Sequence, residues 1–258
     1  MPFNNAKVAG TLLLVGASQF AIASTIAEAI YPGYSVSANY ISDLGVWSKP
    51  SAVIFNPSIM LFGLFILASS YFIFKQFGMR PVTALLVSSG AGTLGVGIFP
   101  ENTFIINGIP IIHGVAALLA FAGGALAAIT AYKITKPPLR YISIILGLTS
   151  LTVLFLLVLT RDSGGLGLGV GALERIVVYP NLIWMIGFGG YLLGNSQWHA
   201  KAAATTENTT SGANTNGSTL NNAPTAKHKI VQTAKVKMAM VCVAFHEGFF
   251  GAILSKSV

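Results

Sequence analysis

Residues 52–74 read AVIFNPSIMLFGLFILASSYFIF, 23 consecutive residues without a charged side chain. About 20 mostly apolar residues in a helix cross the roughly 30 Å hydrocarbon core of a bilayer, so this stretch predicts a membrane-spanning helix. The whole chain has the same character: 53% of its 258 residues are hydrophobic and 9% are charged, against about 25% charged in soluble domains. The composition excludes a soluble globular enzyme, a coiled coil and a disordered protein.

Five further stretches have a similar length and apolar character. Backbone groups in hydrocarbon must form hydrogen bonds within their own segment, so we predict an all-α, polytopic integral membrane protein in which residues 1–195 form one bundle of six transmembrane helices. An apolar run after Lys7 that ends in Ala21-Ile22-Ala23 also resembles a cleavable signal peptide, but its apolar character continues to Ile30, which favours a retained helix. The six predicted spans are Val8–Ile30, Ala52–Phe74, Pro81–Ile98, Ile111–Ala131, Ile142–Leu159 and Ile176–Leu193.

Lysine and arginine are unequally distributed between the connections of these spans. Cytoplasmic loops carry more of both residues, so the bias predicts that both ends of the bundle lie in the cytoplasm (N-in/C-in). The connections 31–51, 99–110 and 160–175 then face outward. Seven basic residues lie on the predicted inner side (Lys7, Lys75, Arg80, Lys133, Lys136, Arg140 and Lys201) and three on the outer side (Lys49, Arg161 and Arg175).

The composition changes after Gly194. Residues 196–235 are rich in Ala, Thr and Asn and bury too little apolar surface to offset their ordering entropy, which predicts a disordered tail. Residues 236–258 form a terminal apolar segment whose stretch Met238–Leu254 is interrupted by His246 and Glu247. This favours an interfacial helix, with a seventh span as the alternative.

The charged residues concentrate at the outer ends of the predicted spans. The interiors of spans two, three, five and six carry no ionisable residue, so any chemistry is expected at the outer rim. For Glu28, Lys49 and Glu101, two explanations of the charge are equally good: solvation of a loop, or a role in a functional site. The candidate outer-face polar site consists of Asn39, Ser42, Asp43, His113, Arg161, Asp162, Glu174 and Arg175.

Two segments of this candidate site have a recognisable local pattern. The polar side chains of residues 39–43 fall in one short turn and are expected to form local hydrogen bonds with the backbone. Arg161-Asp162 and Glu174-Arg175 bracket a glycine-rich run, and cross-pairing of these charges predicts either a salt-bridged connector or a hinged lid. No spacing of a metal-binding type is present, so no metal or other cofactor is predicted.

Small and neutral polar residues within the spans predict how the helices pack. Gln19 and Asn181 are expected to form hydrogen bonds between helices. Close helix approach is expected at Ser88-xxx-Gly92, Ala120-xxx-Gly124 and Gly190-xxx-Gly194.

Three motifs carry a resemblance to a known family. They are Asn39-Tyr40-Ile41-Ser42-Asp43-Leu44-Gly45, Gly97-Ile98-Phe99-Pro100 with His113-Gly114, and Gly171-Ala172-Leu173-Glu174-Arg175. Over about residues 8–194 the chain resembles the uncharacterised prokaryotic membrane proteins called domain of unknown function 998. Its turn after the first helix and the histidine that opens the fourth are also similar to the eukaryotic autophagy-modulator and GPI-remodelling six-span family, although Lys49-Pro50-Ser51 replaces the usual prolines and glutamate. The resemblance implies an outer-face site near lipid headgroups and implies no reaction.

The favoured hypothesis is a multi-pass protein of the cell membrane whose outer-face site binds, and in one version processes, a lipid headgroup. Asp43 and Glu174 would accept hydrogen bonds from hydroxyls or an amine, Arg161 or Arg175 would pair with phosphate, and His113 would serve as an acid or base. Binding is favoured over catalysis, because no nucleophile–base pair can be identified from spacing.

Two alternatives from other functional classes stay open. The first is a small-solute transporter or channel, which the neutral interiors of the spans disfavour. The second is a non-catalytic structural or interaction protein. Membrane lipids are the expected partners, and nucleic acid is not, because the basic residues lie between apolar spans.

Overall fold

The computed structural model describes residues 4–212 except residue 108, and the side chains of this range up to residue 194. Within this range, six helices are long and apolar enough to cross a membrane, which confirms the predicted all-α membrane fold. The helices are α1 (Asn5–Ile30), α2 (Ala52–Phe77), α3 (Arg80–Ile98), α4 (Ile111–Thr130), α5 (Leu139–Thr160) and α6 (Val170–Gly212).

The chain divides into two units, Met1–Thr206 and Glu207–Val258. The bundle lies in the first unit, and residues 207–212 of the second are the end of α6. The backbone of residues 196–212 is helical where the sequence predicts disorder; this stretch includes the alanine-rich run 200–204, and alanine has the highest helix propensity. The rest of the predicted tail and the terminal segment 236–258 lie outside the described residues.

The sixth helix begins earlier than predicted, at Val170 instead of Ile176. The glycine-rich sequence before it predicts a loop, but the helix includes Gly171. This difference matters for the site, because Glu174 and Arg175 belong to the first two turns of α6 and not to a loop. Both residues are therefore held by a helix and are 4% and 5% exposed.

Short elements occupy the connections. A 3-10 turn, Ser42–Gly45, lies between α1 and α2, and the strands β1 (Ile105–Ile106) and β2 (Ile109–Pro110) form an antiparallel hairpin between α3 and α4. Further 3-10 turns are Ala131–Lys133, Arg161–Ser163 and Gly165–Gly167. The connections α1–α2, α3–α4 and α5–α6 meet at one end of the bundle, called the site end here. That this end faces outward stays a prediction.

Helix α6 is the best-buried span. In its most hydropathic 18-residue window 56% of residues are buried, against 28% in α1 and α5. The stacked rings of Trp184 and Phe188 are fully buried. The Ser150 hydroxyl donates to the Val177 carbonyl at 2.8 Å and links α5 to α6. The core therefore surrounds α6, and side chains near its start are shielded from solvent.

The two predicted interhelical polar residues form such bonds. Gln19 donates to the Ser58 carbonyl at 3.0 Å and accepts from the Ser58 hydroxyl at 3.0 Å, joining α1 to α2. Asn181 Nδ2 donates to Ser150 Oγ at 3.0 Å, joining α6 to α5. Both predictions are confirmed.

Small residues allow close packing at two of the three predicted places. Gly92 and Gly124 lie directly against neighbouring helices, but Cβ atoms added to Gly190 and Gly194 would meet nothing within 4 Å among the described residues. The Gly190-xxx-Gly194 prediction is wrong, because the adjacent Gly189 makes the contact. A Cβ on Gly10 would lie 2.6 Å from the Gly189 carbonyl oxygen, so α1 and α6 touch through their backbones there.

Candidate functional site

The turn after α1 is held by its own side chains. The amide of Asn39 and the backbone N–H of Tyr40 both donate to Asp43 Oδ2, at 3.1 and 3.0 Å. The local hydrogen bonds expected for this turn form, and they fix the direction of the Asp43 carboxylate.

Glu174 connects this turn to α6. Its Oε2 accepts the backbone N–H of Ile41, and its Oε1 lies 3.3 Å from the Ser42 hydroxyl. Ser42 donates its one proton to Glu101 Oε1 at 2.6 Å, which is the shorter contact and hence the better hydrogen bond. One hydroxyl therefore bridges two carboxyl groups that come from distant parts of the chain.

His113, at the start of α4, completes the group. Its Nδ1 lies 2.9 Å from the Phe99 carbonyl oxygen, which can only accept, so Nδ1 carries a proton. Nε2 then faces Glu101 Oε1 at 3.5 Å. In a neutral histidine this nitrogen is an acceptor, and in a charged one it is a donor, so His113 and Glu101 can share a proton. Ser42, Asp43, Glu101, His113 and Glu174 are called the carboxylate cluster below.

Glu101 lies in the connection between α3 and α4, and its surroundings shift the pKa of its carboxyl strongly. Burial raises the pKa of its carboxyl from 4.5 to about 8, the hydrogen bond from Ser42 opposes this rise, and the nearby Asp43 and Glu174 carboxyls add to it. A carboxyl with this pKa is largely protonated near neutral pH. It can donate a hydrogen bond as well as accept one.

A cavity of about 60 Å³ extends from the cluster into the bundle. Ser42, His113 and Glu174 line it at the site end, and its other walls include both aromatic and polar side chains. This space is large enough to hold water, for which about 10–15 Å³ of such space suffices. Among the described residues, the buried Oδ1 of Asn181, which also lines this cavity, has no hydrogen-bond partner. The further lining residues are Phe20, Ile41, Phe55, Ile59, Phe62, Ser89, Thr93, Val96, Ala117, Ala120, Phe121, Val178, Asn181, Leu182 and Met185.

Arg175 is turned away from the cluster and holds the α1–α2 connection. Its Nη2 donates to Glu28 Oε1 and to the Tyr34 hydroxyl, both at 2.6 Å. Its Nη1 donates to three backbone carbonyls, those of Val36, Asn39 and Gly171, at 2.8, 3.2 and 3.0 Å. These contacts are called the Arg175 network below. Four of the five donor N–H groups face protein acceptors, so Arg175 stabilises the fold and is not free to bind phosphate.

Tyr34 and Gly171 extend this network. The Tyr34 hydroxyl accepts from Arg175 and donates to the Tyr40 carbonyl at 2.9 Å. Burial raises the pKa of Tyr34 to about 12 against the opposing effect of Arg175, so the hydroxyl keeps its proton. A Cβ on Gly171 would overlap the Asn39 carbonyl oxygen, so α6 can approach the connection this closely only with glycine at that position.

Arg161 and Asp162 lie outside the group. They form an ion pair with each other at 3.5 Å, and their side chains are 55% and 91% exposed. The expected cross-pairing with Glu174 and Arg175 is wrong, because those two residues are already engaged with the α1–α2 connection. Of the eight candidate residues, the structure brings six together in the cluster and the adjoining Arg175 network: Asn39, Ser42, Asp43, His113, Glu174 and Arg175.

Two important residues are absent from the candidate site predicted from the sequence, where loop solvation and a function explain them equally well. Glu101 belongs to the cluster, and Glu28 pairs with Arg175. A sequence signal exists for Glu101, which directly follows the Gly97–Pro100 motif. Glu28 has no such signal, because its partner is separated from it by 147 positions. Within the described residues, no three histidine, cysteine, aspartate or glutamate side chains are placed to hold a metal ion together.

The chain was compared with known proteins. A model of the family described as "Protein of unknown function (DUF998)" matches residues 14–191. The chain belongs to this family. The match includes the whole carboxylate cluster and Arg175 network and most of the membrane-spanning bundle, which confirms the resemblance to DUF998 proteins. No curated protein and no solved structure matches the chain.

Proposed function

We propose that this DUF998 protein binds the polar headgroup of a membrane lipid at the carboxylate cluster, through amine or hydroxyl groups of that headgroup. One observation carries the proposal. The carboxyl groups of Glu101 and Glu174 both contact the Ser42 hydroxyl, that of Asp43 lies close to Glu101, and Ser42 and Glu174 line a cavity; among the described residues no lysine or arginine forms an ion pair with any of the three acids.

The excess of carboxyl groups over cationic side chains selects the chemistry of the headgroup. A carboxylate binds an ammonium or hydroxyl donor through charge-assisted hydrogen bonds, whereas it repels a phosphate. Arg175, one of the two arginines expected to bind phosphate, is held in its own network. The ligand group that contacts the cluster is therefore a donor, as in an ethanolamine or sugar headgroup, and its phosphate lies away from the cluster.

His113 and Glu101 give the site a proton-sharing pair, but the proposal is binding and not catalysis. The Ser42 hydroxyl donates to a carboxyl group and not to His113. The proposal also places the site on the outer face of the cell membrane, as the lysine and arginine distribution predicts. A reporter enzyme fused after residue 50 tests this placement.

A second candidate is a transporter of small polar solutes. It is favoured by the polar side chains of Ser89, Thr93 and Asn181, which line the cavity within the spans. This candidate would be supported if the wild-type protein carries small amines into proteoliposomes and the Asn181→Leu variant does not.

The experiment for headgroup binding is native mass spectrometry of protein extracted from liposomes of equal parts phosphatidylethanolamine, phosphatidylcholine and phosphatidylglycerol. Phosphatidylcholine is the informative comparison, because its headgroup has the same charge as phosphatidylethanolamine but no N–H donor. We expect retention of phosphatidylethanolamine over phosphatidylcholine, which has no donor, and over phosphatidylglycerol, whose hydroxyl donors accompany a net negative charge that the acidic cluster repels. Asp43→Asn and Glu174→Gln should reduce it about tenfold, equivalent to about 1.4 kcal/mol.

Asp162→Asn is the matched control, since Asp162 is an exposed acid at the same end. It should retain lipid like the wild type. Equal retention of the three lipids, or equal retention by Asp43→Asn and the wild type, would show that the cluster does not select headgroups.

A further inference from the structure

A groove separates α1 from α6 over part of their length. The two helices touch at Gly10 and Gly189, where an added Cβ would clash. Near the site end they are joined again by the ion pair of Glu28 and Arg175 at 2.6 Å. Between these two contacts lies a space of about 250 Å³, called the α1–α6 groove here. It is lined by Phe20, Ala21, Ser24, Thr25, Glu28, Ile41, Val178, Tyr179, Leu182, Ile183 and Ile186.

The groove opens toward the outside of the bundle. Tyr179 and Ile183 line it and are 47% and 57% exposed. Both lie in a predicted membrane span, so the medium at this opening is lipid and not water. The hydroxyls of Ser24 and Thr25 are already used, because they donate to the Phe20 and Ala21 carbonyls of the same helix. The groove therefore presents an apolar surface to an apolar medium.

Its size and surface fit a hydrocarbon chain. A dry apolar cavity of about 150 Å³ already accommodates a benzene molecule, and this groove is larger. Glu28 is the one acid on its wall and lies at the site end. A lipid lying along the groove would thus keep its chain beside apolar side chains and its polar end near acidic groups.

The groove and the cavity beneath the carboxylate cluster share a wall. Phe20, Ile41, Val178 and Leu182 line both spaces. Ile41 also donates its backbone N–H to Glu174 of the cluster. A single layer of side chains therefore separates a space open to lipid from the space under the site.

We propose that the α1–α6 groove is the lateral entrance of the site and holds one acyl chain of the bound lipid. The chain lies between the Gly10–Gly189 contact and the Glu28–Arg175 ion pair, and the headgroup reaches the carboxylate cluster over the Ile41 wall. The headgroup part of this inference rests on the proposed function, whereas the chain part rests on the groove alone.

Photo-cross-linking tests the chain. The full-length protein is placed in phosphatidylcholine liposomes that contain phosphatidylethanolamine with a diazirine in one acyl chain, irradiated and mapped by peptide mass spectrometry. We expect labelling of residues 20–28 and 178–186 to exceed that of the exposed face of α5 about tenfold, equivalent to about 1.4 kcal/mol. Uniform labelling of the lipid-facing helices would overturn the groove.

Two variants fill the groove and one matched variant does not. Ile183→Trp and Thr25→Leu enlarge side chains on its wall and should reduce the labelling about tenfold. Ile145→Trp is the control, because Ile145 on α5 is 62% exposed and lines neither space. Melting temperatures of all three variants identify any that fail to fold, and unchanged labelling in both folded groove variants would contradict the proposal.

The two proposals fail separately. If labelling concentrates in the groove but Asp43→Asn leaves the choice between phosphatidylethanolamine and phosphatidylcholine unchanged, headgroup recognition by the cluster is wrong and the chain site stands. If Asp43→Asn changes that choice while the groove variants label like the wild type, headgroup recognition stands and the lateral entrance is wrong.

Discussion

Arg175→Met should destabilise the protein more than any other single change at the site end. The substitution keeps an unbranched apolar stem of similar length but removes every donor of the Arg175 network. Five contacts are lost: one carboxylate, one phenol and three backbone carbonyls. We expect the α1–α2 connection to separate from α6, and Ser42 and Asp43 to leave the cluster with it.

The magnitude follows from the burial of the ion pair. The Arg175 side chain is 6% exposed and that of Glu28 is 23% exposed. Removal of one partner from a buried pair costs about 3–5 kcal/mol, because the other charge is left uncompensated. Water reaches part of Glu28 and reduces this penalty, whereas the orphaned carbonyls of Val36 and Asn39 add to it; the Gly171 carbonyl lies in α6 and keeps its helical backbone partner. The expected loss in free energy of unfolding is therefore about 3 kcal/mol.

Two measurements check this expectation. Unfolding by dodecyl sulfate in mixed micelles gives the change in free energy, and hydrogen exchange followed by mass spectrometry reports on residues 34–41, whose exchange should accelerate. Arg161→Met is the matched control: Arg161 lies at the same end with an exposed partner, and its change should stay within about 0.5 kcal/mol.

The double variant Glu28→Met/Arg175→Met separates the pair from the rest of the network. Once Glu28 is removed, loss of Arg175 leaves no unpaired buried charge, so the two losses should add to more than the loss in the double variant. A loss below about 1 kcal/mol in Arg175→Met, or unchanged exchange of residues 34–41, would refute the assignment of Arg175 as the residue that holds the connection.

Three further outcomes are expected. The pKa of Glu101 is raised from 4.5 to about 8, so the folded protein holds this proton more tightly than the unfolded chain; the stabilisation is complete below pH 4.5 and is lost as the pH rises to about 8. Melting temperatures should fall as the pH rises across this range, and Glu101→Gln should make them less dependent on pH. If the melting temperature of the variant falls with pH as steeply as that of the wild type, Glu101 is not the group responsible. Gly171→Ala should cost about 1–3 kcal/mol by overpacking, measured in mixed micelles, while Gly190→Ala, which meets nothing within 4 Å, should be close to neutral; equal losses would contradict the close approach at α6. Gln19→Leu should cost about 0.6 kcal/mol, the average for hydrogen bonds between membrane helices. It should cost less in a Ser58→Ala background, where only the bond to the Ser58 backbone carbonyl is left to lose; fully additive losses would exclude the bond from the Ser58 hydroxyl.

Much of the fold could be predicted from the sequence because each span is a local property. Helix α2 begins at Ala52 and helix α3 ends at Ile98, as predicted, because the apolar run and the helix have the same limit at each of these positions. The start of α6 was missed because the glycines at positions 169 and 171 predict a loop in isolation. Their role depends on the carbonyls of residues 37 and 39, which pack against them. This contact partner is invisible in the local sequence.

The candidate site could be predicted in part. The polar residues at one end of the spans were identifiable because ionisable groups are costly within hydrocarbon. Their location at the ends of the spans therefore limits which residues can belong to a site. Their pairing was not identifiable. Arg175 was expected to bind phosphate or to pair across the glycine run, but it pairs with Glu28 on α1. Arg161, with the same charge and a similar position, is left exposed.

The sequence by itself determined that this chain is an all-α membrane protein, because span length and the exclusion of charge are set by bilayer thickness and by the cost of unsatisfied backbone groups. Its motifs carried the resemblance to the DUF998 family, which the family model shows. Only the tertiary structure decided which charges meet. Glu101 and Glu174 share one serine hydroxyl because α3 ends, and α4 and α6 begin, at the same side of the bundle. The groove between α1 and α6 exists because two glycines bring the helices together at one point and an ion pair joins them at another. Contacts of this kind depend on the packing of distant segments, and no local pattern of residues contains them.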